Sequence, residues 1–338
     1  MPFEEFATYS EIKSQTQAWI QALELTRTAS LPKVEQYEQV IFTGCGSTYY
    51  LSLAAAALYQ QLTGRIARAI PGGELLLNTE TILTKQKILL VAISRSGTTT
   101  ETVKAVEKFK ASKRGEVLVI SNYDEILSRM ADVNIVIPKG QEESVAQTRS
   151  FASMYVAACA VAVRMAGRND LFESMATLPE IGKRIIQNFE ADARQIGENL
   201  NYDRFYFLGS GIRYGLACET NLKMKEMTLT HSEPFHFLEF RHGPMSMVNE
   251  KAIVVGLVSE TNFGHENKVL NEMKALGGKT LSLGESGVDI AFSSGIPEHI
   301  RSVLYLPVLQ LMAFYRSLAK GLNPDRPTNL VSVIKLDL

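Results

Sequence analysis

Short, near-continuous apolar runs alternate with longer amphipathic stretches along this chain. QVIFTG (39–44), ILLVAIS (88–94), EVLVIS (116–121) and VNIVIP (133–138) form one series. RFYFLG (204–209), AIVVGLVS (252–259), KTLSL (279–283) and VLYLP (303–307) form a second. Runs of this length, rich in Val, Ile and Leu, predict strands buried on both faces. Their alternation with helix-length segments predicts parallel sheets wrapped by helices.

The two series repeat each other. Residues 39–56 (QVIFTGCGSTYYLSLAAA) and 204–221 (RFYFLGSGIRYGLACETN) each read as a strand, a Gly-X-Gly turn and a helix. Gly44 aligns with Gly209, Gly46 with Gly211, Tyr49 with Tyr214 and Leu51 with Leu216 at one register shift. The same shift carries Ser94 onto Ser259. The expected organisation is an N-terminal helical segment (1–34), a first α/β domain (35–168), a helical linker (169–200), a second α/β domain (201–322) and a tail (323–338). Ligands of open parallel sheets bind beyond the carboxyl ends of the strands. Both glycine turns and the stretch AISRSGTTTET (92–102) fall there.

Composition narrows the function classes. A length of 338 residues suits two domains, each with its own core. Hydrophobic residues at 46% and charged residues at 21% are those of a soluble globular protein. A net charge of −1 gives no bulk field favouring nucleic acid or an acidic membrane. Cys45, Cys159 and Cys218 lie far apart, which argues against a disulfide framework and a zinc site and points to a reducing, cytoplasmic setting. The polar, acidic start MPFEEFATYSEIKSQ does not read as a signal peptide. The longest apolar run, 154–163, is too short to span a bilayer and predicts a core helix.

Four motifs carry candidate chemistry. Gly44-Cys45-Gly46-Ser47-Thr48-Tyr49 begins like a dinucleotide fingerprint, but Tyr49 stands at its third glycine, and Tyr214 does so in the repeat. Close packing of helix on strand at that position needs glycine, so NAD is disfavoured. No G-x-x-x-x-G-K-[ST] motif is present. The glycine turn reads either as a ligand loop, with Gly46, Ser47 and Thr48, or as a tight strand–helix turn alone. Ser94-Arg95-Ser96-Gly97-Thr98-Thr99 leaves a strand and opens a helix. A helix N-terminus with several hydroxyls and an arginine suits a phosphate, and a simple N-cap is the competing reading. Glu219, Lys223 and Glu226 fall at i, i+4 and i+7, one helical face, and charge pattern alone favours a solvated stripe. His242 precedes Gly243-Pro244, which fixes a turn, and by itself reads as a polar loop residue. The spacing of His231, His236 and His242 matches no recognised metal motif, so no metal site is expected.

Taken in order, GCGSTYY (44–50), ISRSGTTTET (93–102), ESVAQTRSF (143–151), CETNLKMKEMTLTHSEPFHFLEFRHGP (218–244) and NPDRPTNL (323–330) resemble the sugar isomerase (SIS) family. The nearest resemblance is to the isomerase half of glucosamine-6-phosphate synthase and to stand-alone type-II amino-sugar-phosphate deaminases, from about Ile41 to Leu330. The resemblance implies two tandem SIS domains, each a flavodoxin-like, three-layer αβα unit. It implies a phosphate held by Ser94, Ser96 and Thr99 with Thr48. Arg95 stands where the synthase has glutamine, which implies a stronger anion contact. Ser47 and the backbone of Val145, Ala146 and Gln147 are implied to touch the sugar. Glu226 matches the carboxylate that moves a proton between C1 and C2, Lys223 a lysine beside it, and His242 a ring-opening histidine given by the partner subunit of a homodimer. No cofactor is implied.

Two departures shape the expected reaction. Met1 is followed by Pro2, so the glutaminase nucleophile of the synthase has no counterpart and ammonia from glutamine is not expected. The position of the synthase's Schiff-base lysine is Ser332, with Lys335 three residues on. The expectation is a phosphosugar isomerase or deaminase, most simply converting glucosamine 6-phosphate to fructose 6-phosphate and ammonia. Galactosamine-6-phosphate deaminase, fructosamine-6-phosphate deglycase and plain isomerase remain close alternatives. A non-catalytic sugar-phosphate sensor is the alternative of a different class.

Overall fold

The computed structural model describes residues 3–331 and residue 336. It contains two five-stranded sheets. The first holds β1 (Gln39–Gly44), β2 (Ala67–Pro71), β3 (Ile88–Ser94), β4 (Gly115–Ser121) and β5 (Val133–Val136) in the order β2-β1-β3-β4-β5. The second holds β6 (Arg204–Leu208), β7 (His231–Phe235), β8 (Ala252–Leu257), β9 (Lys279–Gly284) and β10 (Ile290–Ala291) in the order β10-β9-β8-β6-β7. Every pairing is parallel. Read from the opposite edge, the second order repeats the first, which is the flavodoxin-like 2-1-3-4-5 arrangement. The duplication seen in the sequence is therefore a duplication of topology.

The contacts divide the chain into two units. The first-sheet unit comprises Ser14–Glu142, Gln147–Pro179 and Val331–Leu338, and the second-sheet unit Met1–Lys13, Glu143–Ala146 and Glu180–Leu330. Strands β1, β3 and β8 are buried along their whole length, as their unbroken apolar runs require. In the first-sheet unit Ile41, Leu90 and Val119 pack with Val106 and Phe109 of the helix Thr100–Ala111. In the second-sheet unit Tyr206, Leu208 and Val254 pack with Val269 and Met273 of the helix Phe263–Ala275. The apolar run 154–163 lies in the helix Arg149–Met165 and is buried throughout. The stretch Ser302–Ala319 is long and apolar enough to cross a membrane, and it too is almost wholly buried.

One expectation fails, and two strands were not foreseen. VLYLP (303–307) is no strand: Ser302–Tyr305 is a 3-10 turn running into the helix Leu306–Ala319, with Pro307 in the helix's first turn. A short apolar run fits a buried helix as well as a buried strand, and proline is tolerated at a helix start. The fourth strand across the second sheet is instead the two-residue β10. Strands β2 and β7 went unrecognised because both are edge strands of mixed polarity, each carrying a proline that only an edge accepts.

The first glycine turn uses its two glycines differently. Gly46 has φ +57° and ψ −123° with open space around its Cβ position, so its backbone conformation is what excludes a side chain. A Cβ on Gly44 would sit 2.5 Å from Thr48 Oγ1 and 2.8 Å from the Thr48 carbonyl carbon, so close approach of helix to strand is what excludes one there. Gly211 repeats the conformation (φ +58°, ψ −128°), and Gly209 repeats the close approach.

Candidate functional site

The turn after β3 gathers the hydroxyls that the sequence singled out. Ser94 Oγ accepts the Gly97 N–H at 3.2 Å and lies 3.4 Å from Thr99 Oγ1. Ser96 Oγ accepts the Thr98 N–H and the Thr98 hydroxyl, both at 3.1 Å. A hydroxyl that accepts a turn N–H keeps its own O–H to donate. Thr99 is the N-cap of the helix Thr100–Ala111, yet its side chain makes no capping bond. An N-cap bond from Thr99 therefore does not account for this hydroxyl cluster, which sits directly before the helix's unpaired first-turn N–H groups.

Around this turn the remaining first-sheet residues are locally tied. Thr48 is buried, and its Oγ1 accepts the Cys45 N–H at 2.9 Å and donates to the Cys45 carbonyl at 3.0 Å, closing the glycine turn that carries Gly46 and Ser47. Arg95 is buried with Nη1 3.7 Å from Glu142 Oε2. Glu142 in turn accepts the Thr148 N–H and hydroxyl, each at 2.8 Å, and the Ser150 hydroxyl. Arg95 thus reaches a carboxylate that organises the start of the helix Arg149–Met165. Gln147 Oε1 is buried and accepts no hydrogen bond.

Residues 143–146 belong to the second-sheet unit. The buried Glu11 carboxylate accepts the Glu143 N–H at 2.6 Å, the Ser144 N–H at 3.3 Å and the Ser144 hydroxyl. The Val145 N–H donates to the Asp325 carbonyl at 3.0 Å. The Ala146 carbonyl accepts the Ser144 hydroxyl at 3.1 Å. Asp325, within the motif NPDRPTNL, also caps the helix Ala7–Thr28 through the Ala7 and Thr8 N–H groups. Val145 is therefore held by the Asp325 main-chain carbonyl, and the residues just before it, Glu143 and Ser144, by the Glu11 carboxylate, which the sequence did not flag. Ser332 and Lys335 lie outside the described residues.

The helix Ile212–Thr228 brings Glu219, Lys223 and Glu226 together, and not as a solvated stripe. Lys223 Nζ donates to Glu226 Oε2 at 2.5 Å and lies 3.4 Å from Glu219 Oε1. The side chains of Lys223 and Glu219 are 2% and 1% exposed, against 20% for Glu226. Burial by itself disfavours the ammonium, but the two carboxylates more than offset it and raise the Lys223 pKa above the usual lysine value. One carboxylate of the three-residue set therefore reaches solvent, and it is Glu226. His242 ends a short 3-10 turn, its N–H donating to the Glu239 carbonyl at 3.0 Å, and its ring is exposed on the loop closed by Gly243 (φ +120°). It stands outside the Lys223 ion-pair set. His236 stacks on Tyr214 with ring centroids 3.8 Å apart.

The strand end after β8 is the repeat's counterpart of the hydroxyl turn, and it is filled. At the shift that pairs Ser94 with Ser259, Thr48 pairs with Arg213, Ser96 with Thr261 and Glu101 with Glu266. Arg213 Nη1 donates to Glu298 Oε1 at 2.6 Å. The Thr261 N–H and hydroxyl donate to Glu298 Oε2 at 3.2 and 2.9 Å. Glu266 Oε2 accepts the Ser259 N–H at 2.6 Å. Burial pushes the Glu298 carboxyl up, but the Thr261 and Ser259 hydrogen bonds and the Arg213 charge prevail and hold it below the usual range.

Two α/β units of one topology, one with a hydroxyl-lined turn and one with a buried lysine–carboxylate set, define a class: duplicated, doubly wound parallel-sheet domains. The chain belongs to the SIS domain family, whose profile matches residues 33–164 and 200–299. Among curated relatives, glutamine–fructose-6-phosphate aminotransferase (isomerizing) of Pyrococcus horikoshii is 31% identical over 326 residues, covering 90% of this chain and 54% of the relative. The Sulfolobus acidocaldarius enzyme of the same name is 33% identical over 265 residues, covering 75% of this chain and 43% of the relative. The chain spans about half the length of the curated relatives it matches. Among solved structures, glucosamine-6-phosphate deaminase from Thermotoga maritima aligns with a TM-score of 0.84 at 26% identity, covering 98% of this chain and all of that one (100%). Tagatose-6-phosphate ketose/aldose isomerase from Escherichia coli shares the fold, with a TM-score of 0.84 at 22% identity over 95% of each chain.

Proposed function

We propose that this chain is an enzyme that moves a proton between C1 and C2 of a phosphorylated amino sugar, converting glucosamine 6-phosphate to fructose 6-phosphate and ammonia. The observation that carries the reading is the asymmetry of the buried set: Lys223 is held between two carboxylates, and only Glu226 is open enough to meet a substrate. The names of the relatives, which act on hexose phosphates, support the same substrate class.

In this reading Ser94, Ser96 and Thr99, with Thr48 and the helix N-terminus, hold the phosphate. Arg95 adds positive charge to the same turn. Gly46, Ser47, Val145, Ala146 and Gln147 line the sugar. His242, exposed on its loop, exchanges protons between O1 and O5 to open the ring, acting on the sugar bound by the partner subunit of a homodimer. Glu226 takes the C2 proton of the open aldose, and Lys223 donates to the oxygen on which charge develops. Return of a proton to C1 of the enaminol gives a C2 imine. Water adds to C2, ammonia leaves, and the ketose remains. The sequence of proton transfers needs neither metal nor organic cofactor.

Coupled ammonia-release assays over glucosamine, galactosamine and fructosamine 6-phosphates test the substrate. Turnover of glucosamine 6-phosphate is expected to exceed that of the other two, and preference for either of them would replace the named substrate.

The phosphate assignment has its own test. Each hydroxyl bonded to a dianion contributes about 1.5–3 kcal/mol. Ser96→Ala combined with Thr99→Ala is therefore expected to raise KM roughly 10²–10⁴-fold with little change in kcat. An unchanged KM would move the phosphate elsewhere.

A further inference from the structure

The strand end after β8 combines the N-terminus of a 13-residue helix, Phe263–Ala275, with a buried arginine and a threonine that offers both its N–H and its hydroxyl. Among the described residues, Glu298 is the carboxylate that accepts from Arg213 and from both Thr261 donors. It comes from a turn that follows a stretch without regular structure, and its side chain is 17% exposed. Arg213 is more deeply buried, its side chain 8% exposed, and its Nε has no hydrogen-bond acceptor. A second carboxylate, Glu266, lies 3.6 Å from Arg213 Nη2 and balances the guanidinium from the other side.

The positions that grip Glu298 are those that the register pairs with the first-sheet turn: Arg213 with Thr48, and Thr261 with Ser96. From the sequence, the segment Ser259-Glu260-Thr261-Asn262 looked like a weakened copy with too few hydroxyls. In the structure the donors are present and already satisfied by a carboxylate 37 residues further along the chain.

We propose that the second-sheet strand end is a complete oxyanion site for phosphate or a phosphate monoester, closed in the native protein by its own Glu298. Removing the carboxylate leaves the Arg213 fork, the Thr261 N–H and hydroxyl and the helix N-terminus as converging donors, a set that matches a tetrahedral oxyanion. The consequence for the native chain is that one anion binds per duplicated pair because the second cradle has an internal occupant, not because it lost its donors. That count rests on the proposed first-sheet phosphate site, whereas the second-sheet site itself stands on its own geometry.

Titration calorimetry of the full-length protein with inorganic phosphate tests it. Wild type is expected to bind one phosphate per chain, at the first-sheet turn, and Glu298→Ala two. Adding Arg213→Met to Glu298→Ala is expected to return the count to the wild-type value. Equal stoichiometry in Glu298→Ala and wild type overturns the proposal. A count of none in wild type and one in Glu298→Ala keeps it and rejects the first-sheet assignment instead. Should Glu298→Ala fail to fold, Glu298→Gln keeps the side-chain volume and gives up the charge. Phosphate is then expected to raise its Tm more than that of wild type, and an equal rise overturns the proposal.

Discussion

Glu226→Gln is expected to lower kcat by about 10²–10⁴-fold, the usual worth of a positioned general base. Sugar-phosphate affinity should stay within a few-fold of wild type. The amide keeps the shape of the carboxylate and still accepts the Lys223 Nζ hydrogen bond, observed at 2.5 Å, but it cannot take up a proton. Unchanged thermal unfolding would show that the loss is chemical. Full turnover in this variant would remove Glu226 as the base. The same variant tests the shared site. If His242 serves the partner's substrate, mixing Glu226→Gln chains with His242→Ala chains puts one intact site in each mixed dimer, and roughly a quarter of wild-type activity should return. No recovery would confine His242 to its own chain or remove it from the reaction.

The second large effect concerns stability. Lys223→Met is expected to cost about 3–5 kcal/mol, measured by urea unfolding, because it strips the counter-charge from a buried carboxylate. Glu226, 20% exposed, can rehydrate when the ammonium goes, whereas Glu219 at 1% cannot. Replacing Glu219 by Gln in the same chain should therefore recover most of the loss. The pH dependence has a definite sign. The folded Lys223 pKa is raised, so its stabilisation is fully present below the unfolded value of about 10.4 and disappears as pH rises through the higher folded value. The gap between wild type and Lys223→Met should hold constant through neutral pH and narrow only in strong alkali. A gap below about 1 kcal/mol at pH 7 would mean that the set behaves like a surface pair.

Where the sequence read correctly, local chemistry was decisive. A strand buried on both faces must be apolar at every position, so β1, β3 and β8 were legible as runs. Glycine turns at Gly44–Gly46 and Gly209–Gly211 showed the repeat, because backbone conformation and close approach exclude other residues there. Edge strands are under no such demand: β7, with only Ser232 fully buried, carried no apolar signal. The run 303–307 met the demand for burial equally well as a helix start.

By itself the sequence determined the duplicated parallel topology, the hydroxyl turn after β3 and the single helical face shared by Glu219, Lys223 and Glu226, since each follows from spacing and residue type. Only the tertiary structure decided which charges are buried. The helix Ile212–Thr228 packs against β6, β7 and the helix Leu306–Ala319, and that packing turns a face that would be solvated in isolation into a buried ion-pair set with one open carboxylate. Likewise, no local pattern announces that Glu298 fills the second strand end. Its carboxylate reaches Arg213 and Thr261 across 85 and 37 residues of chain, and contacts at that separation exist only once the sheet has brought the segments together.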